Sequence, residues 1–294
     1  MIYLFLSILC SVAIGFVMKF FPRYKIDTLQ AIVVNYATCV TCATFHKGES
    51  PIKIADMSLP WWPYAIGLGL VFITGFNGAA STVKHYGLTV AAIVQKMSIA
   101  LSVPFAILVY HESAGLLKVL GILCAVGSIL LTNLKEDKPK DDFGVKTNKV
   151  PNLIWIPIIT FLLSVVIEIV FLKVNHEKWL PEGDVKFIAT IFGTAGFLGF
   201  AVILWRYYRK IASFSLKNVV AGIALGIPNY GSILFIFLAL GNGVEGSVFF
   251  PANNVGIIVL SALLAVGIFH EKLSKLNWTG VALAIAAILL IAAH

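Results

Sequence analysis

Ten long apolar runs follow one another along the chain, each separated from the next by a shorter polar or charged break. They cover approximately residues 2–20, 28–45, 61–82, 88–109, 114–133, 153–174, 186–207, 218–240, 246–268 and 276–293. About 20 mostly apolar residues carry a helix across the hydrocarbon core of a bilayer, so each run predicts a transmembrane helix. The longest polar break, LKEDKPKDDFGVKTNKVPN at 134–152, stands between the fifth and sixth runs. It divides the chain into two five-helix segments, residues 1–133 and 153–294, with 134–152 as the linker loop.

The two segments read as repeats. The fourth and fifth runs join through HESAGLLKVLG and the ninth and tenth through HEKLSKLNWTG, so that a Gly follows nine positions after the Glu in both, at Gly121 and Gly280. The same offset sets Gln95 opposite Asn254. An odd number of spans in each half turns the second upside down relative to the first. The predicted fold class is therefore an all-α integral membrane protein of ten transmembrane helices in two inverted five-helix repeats, with a binding site near the membrane midplane.

Composition and charge add the orientation. Hydrophobic residues make up 59% of the chain and charged ones only 12%, about half the charged share of an ordinary soluble domain. Loops after the odd-numbered spans hold 15 Lys and Arg, and those on the opposite side hold 6. The first set is predicted to face the cytoplasm, which puts both termini outside. The net charge of +8 thus reads as topology and contact with anionic lipid, and no nucleic-acid partner is predicted. The first run lacks a basic leading region and a small-residue cleavage site, so it reads as a retained helix rather than a cleaved signal peptide. Cys10, Cys39, Cys42 and Cys124 lie in apolar runs and read as reduced packing residues.

The five-plus-five duplication and the paired motifs HESAGLLKVLG and HEKLSKLNWTG resemble the ten-helix, EamA-type members of the drug/metabolite transporter superfamily. The resemblance extends over essentially the whole chain. It implies helices around a central cavity and solute movement by alternating access. One departure lies in LQAIVVNYATCV, where Asn35 and Tyr36 stand at a level at which many members carry an arginine. The substrate class is therefore not carried over from any one member.

Polar residues inside the apolar runs are the candidate chemistry. Lys96 lies roughly 12 Å from the inner end of the fourth run at a rise of about 1.5 Å per residue, which is too deep for its stem to reach bulk water from the lipid face. An ammonium at the centre of a spanning helix costs about 2.5–3.5 kcal/mol on insertion scales, so a partner inside the bundle is required. Two readings are open. Lys96 binds a carboxylate or phosphate of the solute, with Gln95 or Ser98 and Asn254 supplying hydrogen bonds, or it pairs with Glu168, the sole acid within a predicted span. Glu168 is a candidate for this ion pair or for proton coupling. Asn229 and Tyr230 follow Pro228 in GIPNYGSILF, and Asn254 follows Pro251 in FFPANNVG. Proline frees a helical carbonyl, which is tolerated at membrane depth where it is buried or faces a cavity. Asn77 in GFNGAAS completes the substrate-binding candidates. Gly222 and Gly226 are expected to let helices approach closely. Glu112 and Glu271 are expected to cap the helices that follow them.

These features point to a secondary transporter for a small polar organic solute, anionic or zwitterionic, in the cytoplasmic membrane and not driven directly by ATP. The alternative is an integral membrane enzyme or flippase acting on lipid or lipid-linked sugar. Neither a P-loop, a GxSxG nor an HExxH motif occurs, and the prediction is no catalytic residue, no cofactor and no metal. Partners are expected to be the solute and membrane lipids. Both halves lie in one chain, so a monomer suffices for a complete unit, and a homodimer is also open.

Overall fold

The computed structural model describes residues 1–86, 94–133, 155–181, 184–211, 213–268 and 274–292. The predicted linker 134–152, the start of the fourth run and Glu271 lie outside the described residues. The helices are α1 (Ile2–Lys19), α2 (Thr28–Lys47), α3 (Trp62–Tyr86), α4 (Ile99–Tyr110), α5 (Leu116–Asn133), α6 (Trp155–His176), α7 (Lys186–Tyr208), α8 (Leu216–Gly241), α9 (Gly246–Gly267) and α10 (Lys275–Ala292), with a short 3₁₀ turn at Ile54–Ser58. No strand occurs among the described residues. Among the described residues, six helices are long and apolar enough to cross a membrane: α1, α2, α6, α7, α8 and the Gly246–Leu264 stretch of α9. The protein is a multi-pass, all-helical membrane protein.

The chain forms two compact units, Met1–Thr74 with Val170–Val244 and Gly75–Ile169 with Glu245–His294. Each unit draws helices from both sequence halves, and the division falls inside α3 and inside α6.

In the first unit α8 packs on α1 and α2, and α2 packs on α7. The α2–α8 seam is close because its glycines leave no room for anything larger. A Cβ on Gly222 would lie 2.5 Å from the Ala31 carbonyl oxygen, and one on Gly226 would lie 2.5 Å from Thr38 Cβ and 2.8 Å from the Asn35 carbonyl oxygen. Helix α2 starts at Asp27, whose carboxylate accepts from the Gln30 N–H (3.1 Å) and from Arg206 (3.0 Å), and it ends at Gly48 with φ +74°. That left-handed turn is one that glycine adopts without strain. Beyond it Lys186 reaches the buried Asp56 at 3.0 Å, and Lys47 reaches Asp184 at 3.7 Å.

In the second unit α10 packs along α5, and α9 packs on α4, α5 and α10. Gly121 of α5 faces Ile291 and the Ala287 carbonyl, where a Cβ would lie 2.6 and 3.2 Å away. Gly78 of α3 faces Thr160 of α6, whose Oγ1 would lie 2.8 Å from such a Cβ. Thr82 and Thr160 share a hydroxyl contact of 3.4 Å along this seam.

Candidate functional site

The second unit carries the charged pair that the apolar runs single out. Lys96 sits at the end of a helical turn, and residues 97–98 break the helix before α4 begins. The chain tightens there: the Ala100 N–H donates to the Met97 carbonyl (2.9 Å) and the Leu101 N–H to the Ser98 carbonyl (3.0 Å). Such i→i+3 bonding within an apolar span marks a local overwinding that often accompanies a functional position. One turn on, Pro104 leaves the Ala100 carbonyl without its helical N–H.

Lys96 Nζ donates to Asn254 Oδ1 of α9 at 3.0 Å. Glu168 of α6 accepts from Ser98 Oγ at 2.8 Å and from Ser102 Oγ, one hydroxyl to each carboxylate oxygen. The two charges therefore share a neighbourhood but hold different partners. No direct Lys96–Glu168 bond occurs among the described hydrogen bonds and ion pairs. Asn254 is 5% exposed, and its Nδ2 has no hydrogen-bond partner among the described residues. The Oδ1 of its neighbour Asn253 is also buried and unpaired. Orphaned buried amide groups cost about 1–3 kcal/mol each, so a ligand that satisfies them gains accordingly. Asn254 lies three residues after Pro251 within α9.

Of the remaining candidates, Gln95 and Asn77 belong to this unit and are exposed. The Gln95 carbonyl accepts from Ser98 Oγ at 2.9 Å. Asn229 and Tyr230 belong to the first unit, in a polar seam between α2 and α8. Asn229 Nδ2 donates to Asn35 Oδ1 (3.0 Å), Tyr230 Oη meets His46 Nδ1 (2.7 Å), and Cys39 Sγ donates to the Gly226 carbonyl (3.3 Å). Each of these contacts ties α8 to α2.

Glu112 departs from expectation in its target. It does not cap α5, the helix that follows it. Its carboxylate accepts from the N–H groups of Gly246 (2.9 Å) and Ser247 (2.8 Å) and from the Ser247 hydroxyl, at the amino end of α9. Those N–H groups have no helical acceptors, and the positive end of the helix dipole favours an anion there. Glu245 reciprocates by accepting from the Ser113 N–H and hydroxyl and from Lys118 Nζ. Lys118 is fully buried. Burial pushes the Glu245 carboxyl up, but the bonds from Lys118 and Ser113 outweigh it and hold the group below its ordinary value.

Sequence reasoning missed three things here. Ser102 was one hydroxyl among many until α4 placed it, with Ser98 one turn earlier, against Glu168. The Lys118–Glu245 pair joins residues 127 apart in the chain, and nothing local announces it. The third had a signal: Cys39, Cys42 and His46 stand in CVTCATFH, a C-x-x-C pair followed by a histidine, and the reading as isolated packing cysteines passed over it. On one continuous helix the three occupy successive turns of one face. Among the described residues no group of three or more His, Cys, Asp and Glu side chains is placed to hold a metal ion.

The described helices are those of a multi-pass membrane protein, and charged and polar side chains are held among them. Residues 1–134 match the EamA-like transporter family, the family type that the paired motifs resemble. An uncharacterized protein of Haemophilus influenzae is 26% identical over 293 residues, covering 97% of this chain and 95% of its own. A crystal structure of a protein aligns with a TM-score of 0.72 over 98% of this chain and 94% of that one. At 16% identity that likeness shows the fold.

Proposed function

We propose that the protein is a secondary transporter that moves a small polar organic solute, anionic or zwitterionic, across the cytoplasmic membrane by alternating access and without direct use of ATP. The observation that carries this reading is at Lys96. Its ammonium has one neutral acceptor, Asn254 Oδ1, while the nearby carboxylate is occupied by two serines. An ammonium whose described hydrogen bond is to a neutral oxygen, beside a buried amide N–H₂ with no hydrogen-bond partner among the described residues, is a donor set suited to an oxyanion. Glu168 balances the charge, since two opposite charges in a low-dielectric interior each lower the cost of holding the other. Asn229 and Tyr230 orient solute only if the α2–α8 seam opens, and Gln95 and Asn77 are the exposed contacts.

Helix packing supports the inverted-repeat plan. Helices α2, α4 and α5 pack on α7, α9 and α10, each on the helix five places further along the chain. A pseudo-two-fold axis exchanging the halves would produce such pairs. We take the termini to be outside on the strength of the basic loops.

The test is thermal stabilisation of purified protein by a pooled metabolite library, run on wild type and Lys96→Gln. Acidic or zwitterionic solutes are expected to stabilise the wild type and to lose that effect in a folded variant. Equal stabilisation of both proteins would remove Lys96 from solute recognition.

A further inference from the structure

We propose that the surface joining the α1–α2 and α7–α8 connections of the first unit binds an anionic phospholipid, whose phosphate is held by Arg23, Lys25, Arg209, Lys210 and Lys217. The inference goes beyond the transporter reading and does not depend on which solute is carried.

Hydrogen bonds stitch the two connections into one surface. The Asp27 carboxylate accepts from both terminal nitrogens of Arg206, at 3.3 and 3.0 Å, and the Asp27 N–H donates to Asn218 Oδ1 at 3.0 Å. Lys217 Nζ donates to the Tyr24 carbonyl (3.0 Å) and Gln30 Nε2 to the Ser213 carbonyl (2.9 Å). Residues 19–30 and 205–218 hold seven Lys and Arg and a single carboxylate, Asp27, which Arg206 takes. The five cations named above are all exposed, and neither stretch holds a second carboxylate for them. The other end of the same unit is built differently. Residues 46–60 and 176–186 hold four Lys and five Asp or Glu. There Lys47 reaches Asp184 (3.7 Å), Lys53 reaches Glu49 (2.8 Å) and Lys186 reaches Asp56 (3.0 Å). These segments supply their own counter-ions at one end of the unit, whereas the basic end calls for an anion from outside them.

The neighbouring side chains choose a lipid over a soluble anion. Arg23 Cζ lies 5.9 Å from the centroid of the Tyr24 ring, and Arg209 Cζ lies 5.9 Å from that of Trp205. A guanidinium resting on an aromatic ring keeps its N–H edge for a phosphate, which it can grip with two parallel bonds. Tyr and Trp collect at the head-group level of a bilayer, and Tyr24, Trp205 and Tyr208 are all exposed. The cations beside them therefore lie at the depth of lipid phosphates. In the α7–α8 connection Ile211 is 60%, Phe214 70% and Leu216 69% exposed. An occupant with one anionic and one apolar end covers both kinds of surface, and a soluble anion covers only the first.

The test uses full-length protein purified in detergent and depleted of lipid. The probes are dioleoylphosphatidylglycerol, dioleoylphosphatidylcholine and glycerol 3-phosphate, read by native mass spectrometry and thermal shift. Wild type is expected to bind the phosphatidylglycerol tenfold or more tightly than the phosphatidylcholine, and to gain no stability from glycerol 3-phosphate. Two paired variants remove cations: Lys25→Gly with Lys210→Gly, and Arg23→Gln with Arg209→Gln. Lys25 and Lys210 lie at φ 50° and 56°, a region that glycine enters without strain, so the first pair removes charge without straining the backbone. A basic residue near anionic lipid is worth about fivefold in binding, and each pair is expected to cut the preference by at least that factor. Lys53→Gln with Lys178→Gly, at the other end and with Lys178 also at φ 50°, is expected to leave it intact. Equal binding of the two lipids by wild type overturns the proposal, as does a preference that survives both patch variants or falls equally in the control pair. Stabilisation by glycerol 3-phosphate to the level of the phosphatidylglycerol overturns the lipid assignment in favour of a soluble phosphate. Should both patch pairs fail to fold, the wild-type ratio of the two lipids still decides.

Discussion

Lys118 is fully buried, yet each of its three N–H groups has an acceptor in the Ser113 carbonyl (2.8 Å), the Ser113 hydroxyl (3.0 Å) and the Glu245 carboxylate. Truncating one partner of a buried ion pair costs about 3–5 kcal/mol. Because the Glu245 side chain is 37% exposed, water screens part of this, and Lys118→Ala is expected to cost about 1–3 kcal/mol, measurable as a drop in unfolding temperature in detergent. The same pair gives a pH dependence. Glu245 titrates below its ordinary value of 4.5, so its ionised form stabilises the folded state above that value. The contribution is lost as pH falls from about 4.5 through the lowered value. Unfolding temperature is expected to decline on that acid limb, and Glu245→Gln to flatten part of the decline. An unchanged acid limb would remove Glu245 from the account. At this scale the sequence showed charges better than their partners. Lys96 stands out because an ammonium in an apolar run must be offset somewhere, and its contact Asn254 is the position that the repeat offset assigns to the neighbouring Gln95. Ser102 and Lys118 carry no such mark, since the value of a hydroxyl or a helix-end lysine is set by a neighbour far away in sequence.

Among the elements, the α2–α8 seam depends on the absence of side chains. Gly222 and Gly226 let the α2 backbone come so close that an added Cβ would meet carbonyl oxygens. Overpacking costs typically about 1–3 kcal/mol, and backbone atoms cannot turn aside as a side chain can. Gly226→Val is therefore expected to lower the unfolding temperature more than Gly15→Val, where nothing lies within 4 Å of the added Cβ. Circular dichroism melts of the two variants settle it, and equal effects would contradict the packing. The helices were legible because a run of apolar residues long enough to cross a bilayer has few other destinations. The 3₁₀ turn after Lys96 was not, because it comes from the local path of the chain rather than from periodicity. Glu112 shows the same limit. Its affinity for a helix start was readable, but which helix start it meets depends on the fold.

For the whole molecule, the two compact units cut across the two sequence halves. A repeat in sequence is thus compatible with units that mix helices from both copies, and the hydrophobic pattern alone does not reveal that mixing. The proposed orientation is testable with single cysteines in a background whose four native cysteines are replaced by Ala. A membrane-impermeant maleimide added to intact cells is expected to label Ser50→Cys, in the loop after α2, and to spare Lys210→Cys, after α7, until the cells are opened. The reverse pattern would invert the topology.

The central claim is that solute moves through the membrane by way of Lys96. Its most direct measurement is counterflow in proteoliposomes without ATP, using whichever solute of the metabolite library stabilises wild type most. Vesicles preloaded with unlabelled solute are expected to accumulate labelled solute transiently above equilibrium when they hold wild-type protein, and to show at least a tenfold lower rate with Lys96→Gln. Binding without accumulation, or equal accumulation by the two proteins, would contradict it.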